Sequence, residues 1–474
     1  MVSVRLFDRP ATAVVDLLQK GEVSPAEVLA DSVDRVESVN PSVNALVTLC
    51  FERAQRNAEM LMERPPGERG VLSGLPVPIK DAYAVAGVRT TLGSLAFADH
   101  VPETSDFLVE AIEAAGGIVF GKSNTPEFQA GANTFNEVFG RTLNPWNTAR
   151  SAAGSSGGAA VAVATGMAHI AQGSDNACSI RYPAAFCGVV GLRPSPGLIP
   201  KGPSPLPHQV LSVIGPIARS VADVGLGLDA MARFDPRDPR SRPLCGEGYR
   251  AAAEAPRRPV RAGFSMDLSG MARVSGAVRA VVEDAVARLA ASGLDIVSEA
   301  PDLSRSRDAF LPIRAFQFAA LFRDVLAAHR DKLKPEVVWN IEEGLKLTAA
   351  DLAIAEAARN EVRRQMVAFI RRHGVLITPT APVEPYPVEQ RYVDEIDGER
   401  LTTYLDWLVL GFSITVTGCP AISIPCGVTA DGLPVGLQLV GAPYGEAELL
   451  RTAAWCEAAL GVSLRAPIDP RPGA

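Results

Sequence analysis

Histidine is scarce in this sequence, and its cysteines are scattered rather than paired. Its 474 residues include five histidines and seven cysteines, and no two cysteines stand in C-x-x-C spacing. An odd number of scattered cysteines is typical of reduced thiols and argues against a disulfide framework. The first residues lack a basic region followed by an apolar core, so no signal peptide is predicted. We therefore expect a cytoplasmic protein.

Excess basic charge and long apolar runs are also missing. The formal net charge is −7, which excludes a general affinity for nucleic-acid phosphates. The most apolar run, residues 159–164, is far too short to cross a bilayer, so no membrane partner is predicted. No histidines, cysteines or aspartates stand at metal-ligand spacing. We expect neither a metal nor another cofactor.

A pattern of helix, glycine and short apolar strand recurs along the chain. An amphipathic helix is predicted over 24–40, opened by a Ser24–Glu27 capping box and ended at Pro41. Helices over 106–115 and 277–291 each lead through glycine into a short apolar strand. Further apolar strands are predicted at 374–378, 421–425 and 435–440.

These elements predict an α/β protein with a mixed, mostly buried β-sheet. We expect a single compact domain over residues 1–474, with an N-terminal helical segment at about 1–65. The Pro-, Arg- and Asp-rich stretch at about 232–260 is predicted to be a surface connection within that domain.

The stretch G-S-S-G-G at 154–158 allows several interpretations. A flexible linker or turn is the simplest. A phosphate-binding loop is poorly supported, because no G-x-x-x-x-G-K-[ST] pattern is present. A nucleophile elbow, G-x-S-x-G centred on Ser156, needs a strand before it and a late histidine. The preceding residues are polar, and His329 and His373 are both expected at the surface.

A further interpretation of 154–158 takes in more of the sequence. A second glycine-flanked polar turn, carrying Asp175 and Ser179, follows the apolar helix after 158. Upstream, Lys80 comes directly after a short apolar strand. A lysine there is usually a solvated strand end, but beside two serine-bearing turns it becomes a candidate base.

Several motifs resemble those of one hydrolase family. In chain order they are G-L-P-V-P-I-K-D at 74–81, N-T-P-E-F at 124–128, F-G-R-T-x-N-P-W at 139–146, G-S-S-G-G at 154–158, G-S-D-x-x-x-S-I-R-x-P-A at 173–184, G-C-P-A-I-S-I-P-C-G at 418–427 and G-L-P-V-G-L-Q-L-V-G at 432–441. Over residues 10–460 the chain resembles the amidase signature family of Ser-cisSer-Lys hydrolases. The resemblance implies a large mixed central β-sheet covered by helices on both faces.

The resemblance also implies a catalytic triad. Ser179 matches the nucleophile, Ser155 the serine held by a cis peptide bond, and Lys80 the base. A serine hydroxyl is a weak nucleophile and needs a positioned base, and lysine serves only when neutral. Its pKa must fall from about 10.4 to near 7, a change of roughly 4 kcal/mol, and burial is the expected cause.

Supporting groups are expected around the triad. Ser156 should provide a hydrogen bond, and Asp175 and Arg181 should brace the second turn. The backbone N–H groups of that turn should form the oxyanion hole. These N–H groups belong to Asn176, Ala177, Cys178 and Ser179.

The sequence departs from the family in this turn. Two glycines are usual where this chain has Ala177 and Cys178. Cys178 is a rival nucleophile, although a small filling residue is the preferred interpretation.

We therefore expect an amidase that cleaves a small-molecule amide C–N bond, with a homodimer as one option for its assembly. Two alternatives stay open: the A subunit of a glutamyl-tRNA amidotransferase, and a non-catalytic amidase-like scaffold. Specificity should lie in 126–135, 305–345 and 390–412. The candidate apolar pocket residues are Phe310, Phe316, Phe318 and Trp339.

Overall fold

A computed structural model describes residues 5–244, 246–464 and 466. The predicted domain of 1–474 also includes residues 1–4, Cys245, Arg465 and 467–474, which lie outside the described residues. The α-helices are α1 (Ala11–Lys20), α2 (Pro25–Val43), α3 (Phe51–Met62), α4 (Phe107–Ala114), α5 (Gly157–Ala164), α6 (Arg181–Cys187), α7 (Val221–Met231), α8 (Tyr249–Ala253), α9 (Gly276–Ala291), α10 (Ser306–His329), α11 (Pro335–Leu345), α12 (Ala349–His373), α13 (Val409–Thr417) and α14 (Glu446–Leu460).

The β-strands alternate with these helices along the chain. They are β1 (Leu46–Leu49), β2 (Pro76–Lys80), β3 (Ile118–Ser123), β4 (Phe135–Asn136), β5 (Gly140–Arg141), β6 (Ile170–Asp175), β7 (Val190–Arg193), β8 (Val213–Ala218), β9 (Arg261–Phe264), β10 (Asp295–Val297), β11 (Val375–Pro379), β12 (Glu395–Ile396), β13 (Glu399–Arg400), β14 (Ala421–Val428) and β15 (Pro434–Val440).

The central sheet has eight strands in the order β10-β9-β11-β15-β14-β7-β8-β6. The strands β10, β9 and β11 run parallel, and each later pair from β11 onward is antiparallel. This mixed sheet confirms the predicted fold class.

A second sheet, of three strands in the order β1-β3-β2, lies beside the open edge of the central sheet. Its strand β2 packs next to β6, and the Lys80 backbone N–H donates to Gln172 Oε1 at 3.0 Å. The end of β2 is thereby fixed against the strand that leads to Ser179.

Helices pack on both faces of the central sheet. A Cβ on Gly215 of β8 would lie 3.1 Å from the Ile180 side chain, at the start of α6. The next residue, Pro216, contacts the position where a Cβ on Gly227 of α7 would stand, 2.8 Å away. Because successive residues of a strand point to opposite faces, α6 and α7 cover opposite faces of the sheet.

The first long helix differs from its predicted end. Ser24 and Glu27 form the expected capping box, but α2 continues through Pro41 to Val43. Proline removes one helical hydrogen bond and its ring clashes with the carbonyl four residues earlier, but the helix extends only two residues beyond Pro41. Past the end, Asn40 Oδ1 accepts from the N–H groups of Ala45 and Leu46, both at 2.9 Å, and carries the chain into β1.

The stretch 232–260 joins α7 to β9 and includes the short helix α8. Two of its carboxylates, Asp235 and Asp238, are buried and are held by neighbouring arginines.

The contact between α10 and α11 depends on a glycine. A Cβ on Gly344 would lie 2.0 Å from the Ala315 carbonyl oxygen, closer than two such atoms can approach. We expect Gly344→Ala to cost about 1–3 kcal/mol through overpacking and to lower the midpoint of urea unfolding. Gly276→Ala is the matched control, because no atom lies within 4 Å of a Cβ there. Equal midpoints for the two variants would contradict this account.

Candidate active site

Three elements bring the predicted triad together. Lys80 is the last residue of β2, Ser155 lies just before α5, and Ser179 lies in the turn between β6 and α6. The peptide bond between Gly154 and Ser155 is cis, as the family resemblance implies. The two serine turns are tied together because the Ser156 N–H donates to the Ser179 carbonyl oxygen at 3.1 Å.

The Lys80 amine is surrounded by hydroxyl groups. Its Nζ lies 2.7 Å from Ser155 Oγ, 3.0 Å from Ser156 Oγ and 3.1 Å from Ser174 Oγ. The side chain is completely buried. Burial holds the pKa of Lys80 well below its usual range, although the Asp175 carboxylate opposes part of that effect. The site therefore favours the neutral amine, which is the form that can accept a proton.

Two residues of this network were missed in the sequence. Ser174 is the third hydroxyl at Lys80, and its Oγ donates to Gln129 Oε1 at 2.5 Å. The signal for Ser174 was present, since it stands inside the G-S-D motif. Gln129 carried no signal: it reaches the site because the backbone takes positive φ at Phe128 and Gln129.

Asp175 and Arg181 lie together beneath the Ser179 turn, with Arg193. Arg181 donates to both carboxylate oxygens of Asp175, at 3.0 and 2.9 Å, and Arg193 Nη1 donates at 3.2 Å. Burial alone would raise the pKa of Asp175, but the two guanidinium groups lower it to about 2. Arg181 also donates to the Ala177 carbonyl oxygen at 2.6 Å, which fixes the turn from below.

The backbone of this turn presents free donors. Within the described part of the chain, the N–H groups of residues 176–179 donate to no other protein atom. Ser179 is 7% exposed and Cys178 is fully buried. The carbonyl oxygen of Ala177 in the same turn is bound, because Arg181 and Thr415 Oγ1 both donate to it.

The side chain of Cys178 packs against α13. A Cβ on Gly411 would lie 2.4 Å from the Cys178 Cβ, so the turn can carry this side chain because Gly411 has none. Burial raises the pKa of the Cys178 thiol well above its usual range. A thiol in that environment is a poor source of thiolate.

Ser155 and Ser179 open onto one cavity of about 100 Å³. All three segments predicted to carry specificity contribute to its wall. The residues that line it are Phe128, Gln129, Gly131, Ala132, Ser155, Asn176, Ala177, Cys178, Ser179, Lys201, Gln209, Ser212, Arg314, Gln317, Phe318, Leu321, Phe322 and Leu408.

Only one of the four aromatic residues predicted for this pocket lines it, Phe318. Phe310 instead stacks on Phe412 in the core, with ring centroids 4.8 Å apart. Phe316 and Trp339 are 38% and 39% exposed. The residues missed here are Phe128 and Phe322, together with the polar wall supplied by 201–212.

The prediction that His373 lies at the surface is wrong. His373 is buried rather than exposed, and it packs on Phe369 with ring centroids 4.5 Å apart. It lies near Glu299, away from the serine turns.

Among the described residues, no three His, Cys, Asp or Glu side chains form a group able to hold a metal ion. No helix in that part of the chain has the length and apolar character needed to cross a bilayer.

The fold and the buried lysine–serine network define an amide hydrolase, and comparison with known proteins agrees. The Amidase family model matches residues 27–450. The chain belongs to the amidase signature family. It is 36% identical over 465 residues to an acylamidase of Rhodococcus erythropolis, covering 97% of each chain.

Two further relatives are similar to this chain over almost their whole length. A crystal structure of a bacterial aryl acylamidase of the amidase signature family superimposes with a TM-score of 0.90 at 25% identity, covering 98% of this chain and 99% of that one. The A subunit of the glutamyl-tRNA(Gln) amidotransferase of Moorella thermoacetica is 34% identical, covering 95% of this chain and 96% of the relative. The chain is thus an enzyme that cleaves amide C–N bonds.

Removal of the Asp175 charge should destabilise the protein. Asp175→Asn leaves two buried guanidinium groups without their counter-ion, and we expect a loss of about 3–5 kcal/mol. Asp295→Asn is the control, because its pair with Arg261 is half exposed and contributes about 0–1 kcal/mol. Thermal unfolding of both variants at neutral pH measures the difference.

The acid stability of the two proteins should also differ. Because the folded-state pKa of Asp175 lies below its unfolded value of about 3.9, its stabilisation is present above about pH 4 and is lost as the pH falls towards about 2. That contribution is on the order of 2–3 kcal/mol. An Asp175→Asn protein as stable as the control would disprove the structural role of this carboxylate.

Proposed function

We propose that this enzyme hydrolyses a carboxylic amide through an acyl-enzyme on Ser179, with Ser155 as proton relay and Lys80 as base. The observation that carries the proposal is the 2.7 Å contact between the fully buried Lys80 amine and Ser155 Oγ. A hydroxyl both donates and accepts, so Ser155 can pass a proton from Ser179 to the amine.

The reaction then runs in two balanced halves. Ser179 Oγ attacks the amide carbonyl carbon, and its proton passes through Ser155 to Lys80. As the C–N bond breaks, that proton returns along the same path to the departing nitrogen, which leaves as ammonia or an amine. Water then attacks the acyl carbon and gives up a proton through Ser155 to Lys80. As the C–O bond to Ser179 breaks, that proton returns along the relay to Ser179 Oγ, and the carboxylic acid leaves.

The turn at 176–179 supports the charged step. Its unpartnered N–H groups are suited to hold the oxygen of the tetrahedral intermediate. Asp175 and Arg181 would keep these donors in place, and Ser156 would hold the amine of Lys80. The scheme requires no metal or cofactor, since lysine supplies the base.

Compartment and assembly remain proposals. The described cysteines are all free thiols, which supports a reducing, cytoplasmic setting. A homodimer stays a prediction.

The amidotransferase A subunit is the second candidate function, favoured by the 34% identity to the Moorella protein. Such a protein works within a complex, so copurification with partner subunits would support it. The third alternative, a non-catalytic scaffold, is not supported, because the family and its acylamidase relative are amide hydrolases.

Each triad substitution should remove activity while the protein stays folded. Ser179→Ala, Ser155→Ala and Lys80→Ala should each lower amide turnover by several orders of magnitude. Double variants should lose little more, because the three groups act as a unit. Ser32→Ala is the matched control, since that buried hydroxyl in α2 has no partner among the described residues and lies outside the site.

Mass spectrometry with a slow amide or ester substrate should find the acyl group on Ser179. An adduct on Cys178 or Ser156, or near-normal turnover by Ser179→Ala, would overturn the assignment.

The pH dependence of kcat/KM should follow the protonation of Lys80. Because burial lowers the pKa of Lys80, the neutral base persists well below the pH at which a free lysine is protonated. We expect kcat/KM to fall on the acid side as Lys80 gains its proton, and to rise from neutral towards mildly alkaline pH. Cys178→Ala should keep the acid limb and a rate within about tenfold, or ~1.4 kcal/mol in barrier height. Loss of the acid limb in that variant would assign it to the thiol instead.

A further inference from the structure

The cavity beside Ser155 and Ser179 carries positive charge that its own wall does not balance. Lys201 and Arg314 both line it, and none of the described lining residues is an aspartate or a glutamate. The other polar lining groups are amides and hydroxyls. A charge in a partly dehydrated cavity is costly without a partner, so a ligand of opposite charge is favoured there.

Arg314 is held in place, and most of its N–H donors have no partner among the described residues. The residue is 5% exposed. Its Nη1 donates to Asn340 Oδ1, and its guanidinium carbon lies 4.5 Å from the centroid of the Phe318 ring. In the part of the chain that the structure describes, it forms no ion pair with a carboxylate. A guanidinium has five N–H donors, arranged so that a carboxylate can accept two in parallel.

The support beneath Arg314 is itself fixed. Asn340 Nδ2 donates to Tyr404 Oη at 2.5 Å, so the amide oxygen is turned towards the guanidinium. A pre-positioned donor group loses less entropy when a ligand binds.

Arg314 lies near the turn that carries Ser179. One helical turn later on α10, Gln317 Oε1 accepts from Asn176 Nδ2 at 3.1 Å. The Arg314 charge also acts on the Cys178 thiol, whose pKa is raised chiefly by burial and lowered in part by this guanidinium. Because Arg314 and Ser179 line the same cavity, one substrate molecule can present a group to Arg314 and an amide to Ser179.

Lys201 supplies the second cation. Its backbone N–H donates to Asp238 Oδ2 at 2.9 Å, but its Nζ has no ion pair within the described residues. Burial, followed by the Arg240 guanidinium, lowers the pKa of Lys201 to about 7, while the Asp106 and Asp238 carboxylates partly oppose this. An anion bound beside Lys201 would favour its protonated form.

Part of the wall is apolar. Phe128, Phe318 and Phe322 line the cavity together with Leu321. Phe128 and Phe322 lie with ring centroids 4.4 Å apart and form one aromatic surface. Such a surface fits an apolar or aromatic body between the amide and the charged group.

We infer that the substrate is an amide that also carries a carboxylate on an apolar or aromatic body, and that Arg314 and Lys201 bind this carboxylate. The inference rests on the amide hydrolysis at Ser179 proposed above. The carboxylate belongs to either the acyl part or the departing amine, and the two arms of the test distinguish them.

The test uses two pairs of amides that differ in charge. Terephthalamate and para-toluamide place the carboxylate or a methyl group on the acyl side. The compounds para-acetamidobenzoate and para-methylacetanilide place them on the amine side. We expect kcat/KM to favour the charged member of at least one pair by roughly ten- to hundredfold, the range for charge-assisted hydrogen bonds. Arg314→Met should remove most of that preference and Lys201→Met part of it.

Arg323→Met is the matched control. Arg323 lies on the same helix, its side chain is 66% exposed, and it does not line the cavity. This variant should keep the charge preference of the native enzyme. Arg314→Lys, which keeps the charge but not the paired donors, should fall between Arg314→Met and the native protein, and it guards against a folding defect in Arg314→Met.

Binding to the Ser179→Ala protein separates this inference from the proposed function. Calorimetry on that variant should give tighter binding of the charged member, and adding Arg314→Met should weaken it roughly ten- to hundredfold. Native turnover that survives Ser179→Ala would refute the proposed function alone. Equal affinity within both pairs, no measurable binding of either charged amide, or a preference that survives Arg314→Met would each overturn the carboxylate site.

Discussion

The proposed chemistry depends on the buried Lys80 amine, whose pKa is held well below its usual range, so that the neutral form is favoured. An amine loses its hydration on burial, and the protein replaces that hydration with three neutral hydroxyl groups rather than with a carboxylate. Hydroxyls satisfy the hydrogen bonds of an amine without the field that would hold a proton on it. The nearest influential carboxylate, Asp175, is engaged by two arginines, which limits its pull on Lys80.

The buried site also constrains how the chain packs behind the Ser179 turn. Asp175 ends β6, and the N–H groups of residues 176–179 in the turn after it donate to no other described protein atom. Arg181 and Thr415 bind the Ala177 carbonyl, and Gly411 of α13 leaves space for the Cys178 side chain. The cysteine in this turn is thus accommodated against α13.

Residues that sit in a local sequence motif were predictable, whereas residues placed by backbone geometry were not. The three proposed triad residues were selected because each sits in a local motif. The contact between Lys80 and Ser155, 75 residues apart, is stated by no motif. Gln129 was missed because a pair of positive-φ residues places it, which no residue-level pattern shows.

The sequence analysis assigned the segment 305–345 to specificity but chose mostly the wrong side chains within it. The helical spacing that identifies the right ones is present in the sequence. Arg314, Gln317, Phe318, Leu321 and Phe322 are spaced as one face of a helix and all line the cavity. Phe316 falls on the opposite face and is exposed. Aromatic content alone selected the wrong residues, whereas helical spacing would have selected the right ones.

The charges in the cavity and the neutrality of Lys80 constrain each other. A carboxylate bound without a counter-ion near the triad would favour a proton on the amine and disable the base. When the carboxylate is paired with Arg314 and a protonated Lys201, the site gains little net negative charge, so the amine stays available. In this arrangement β2, β6 and the two serine turns hold the chemistry, and α10 with the 201–212 stretch holds the recognition. Substrate choice can then change on α10 without a change in the buried network around Lys80.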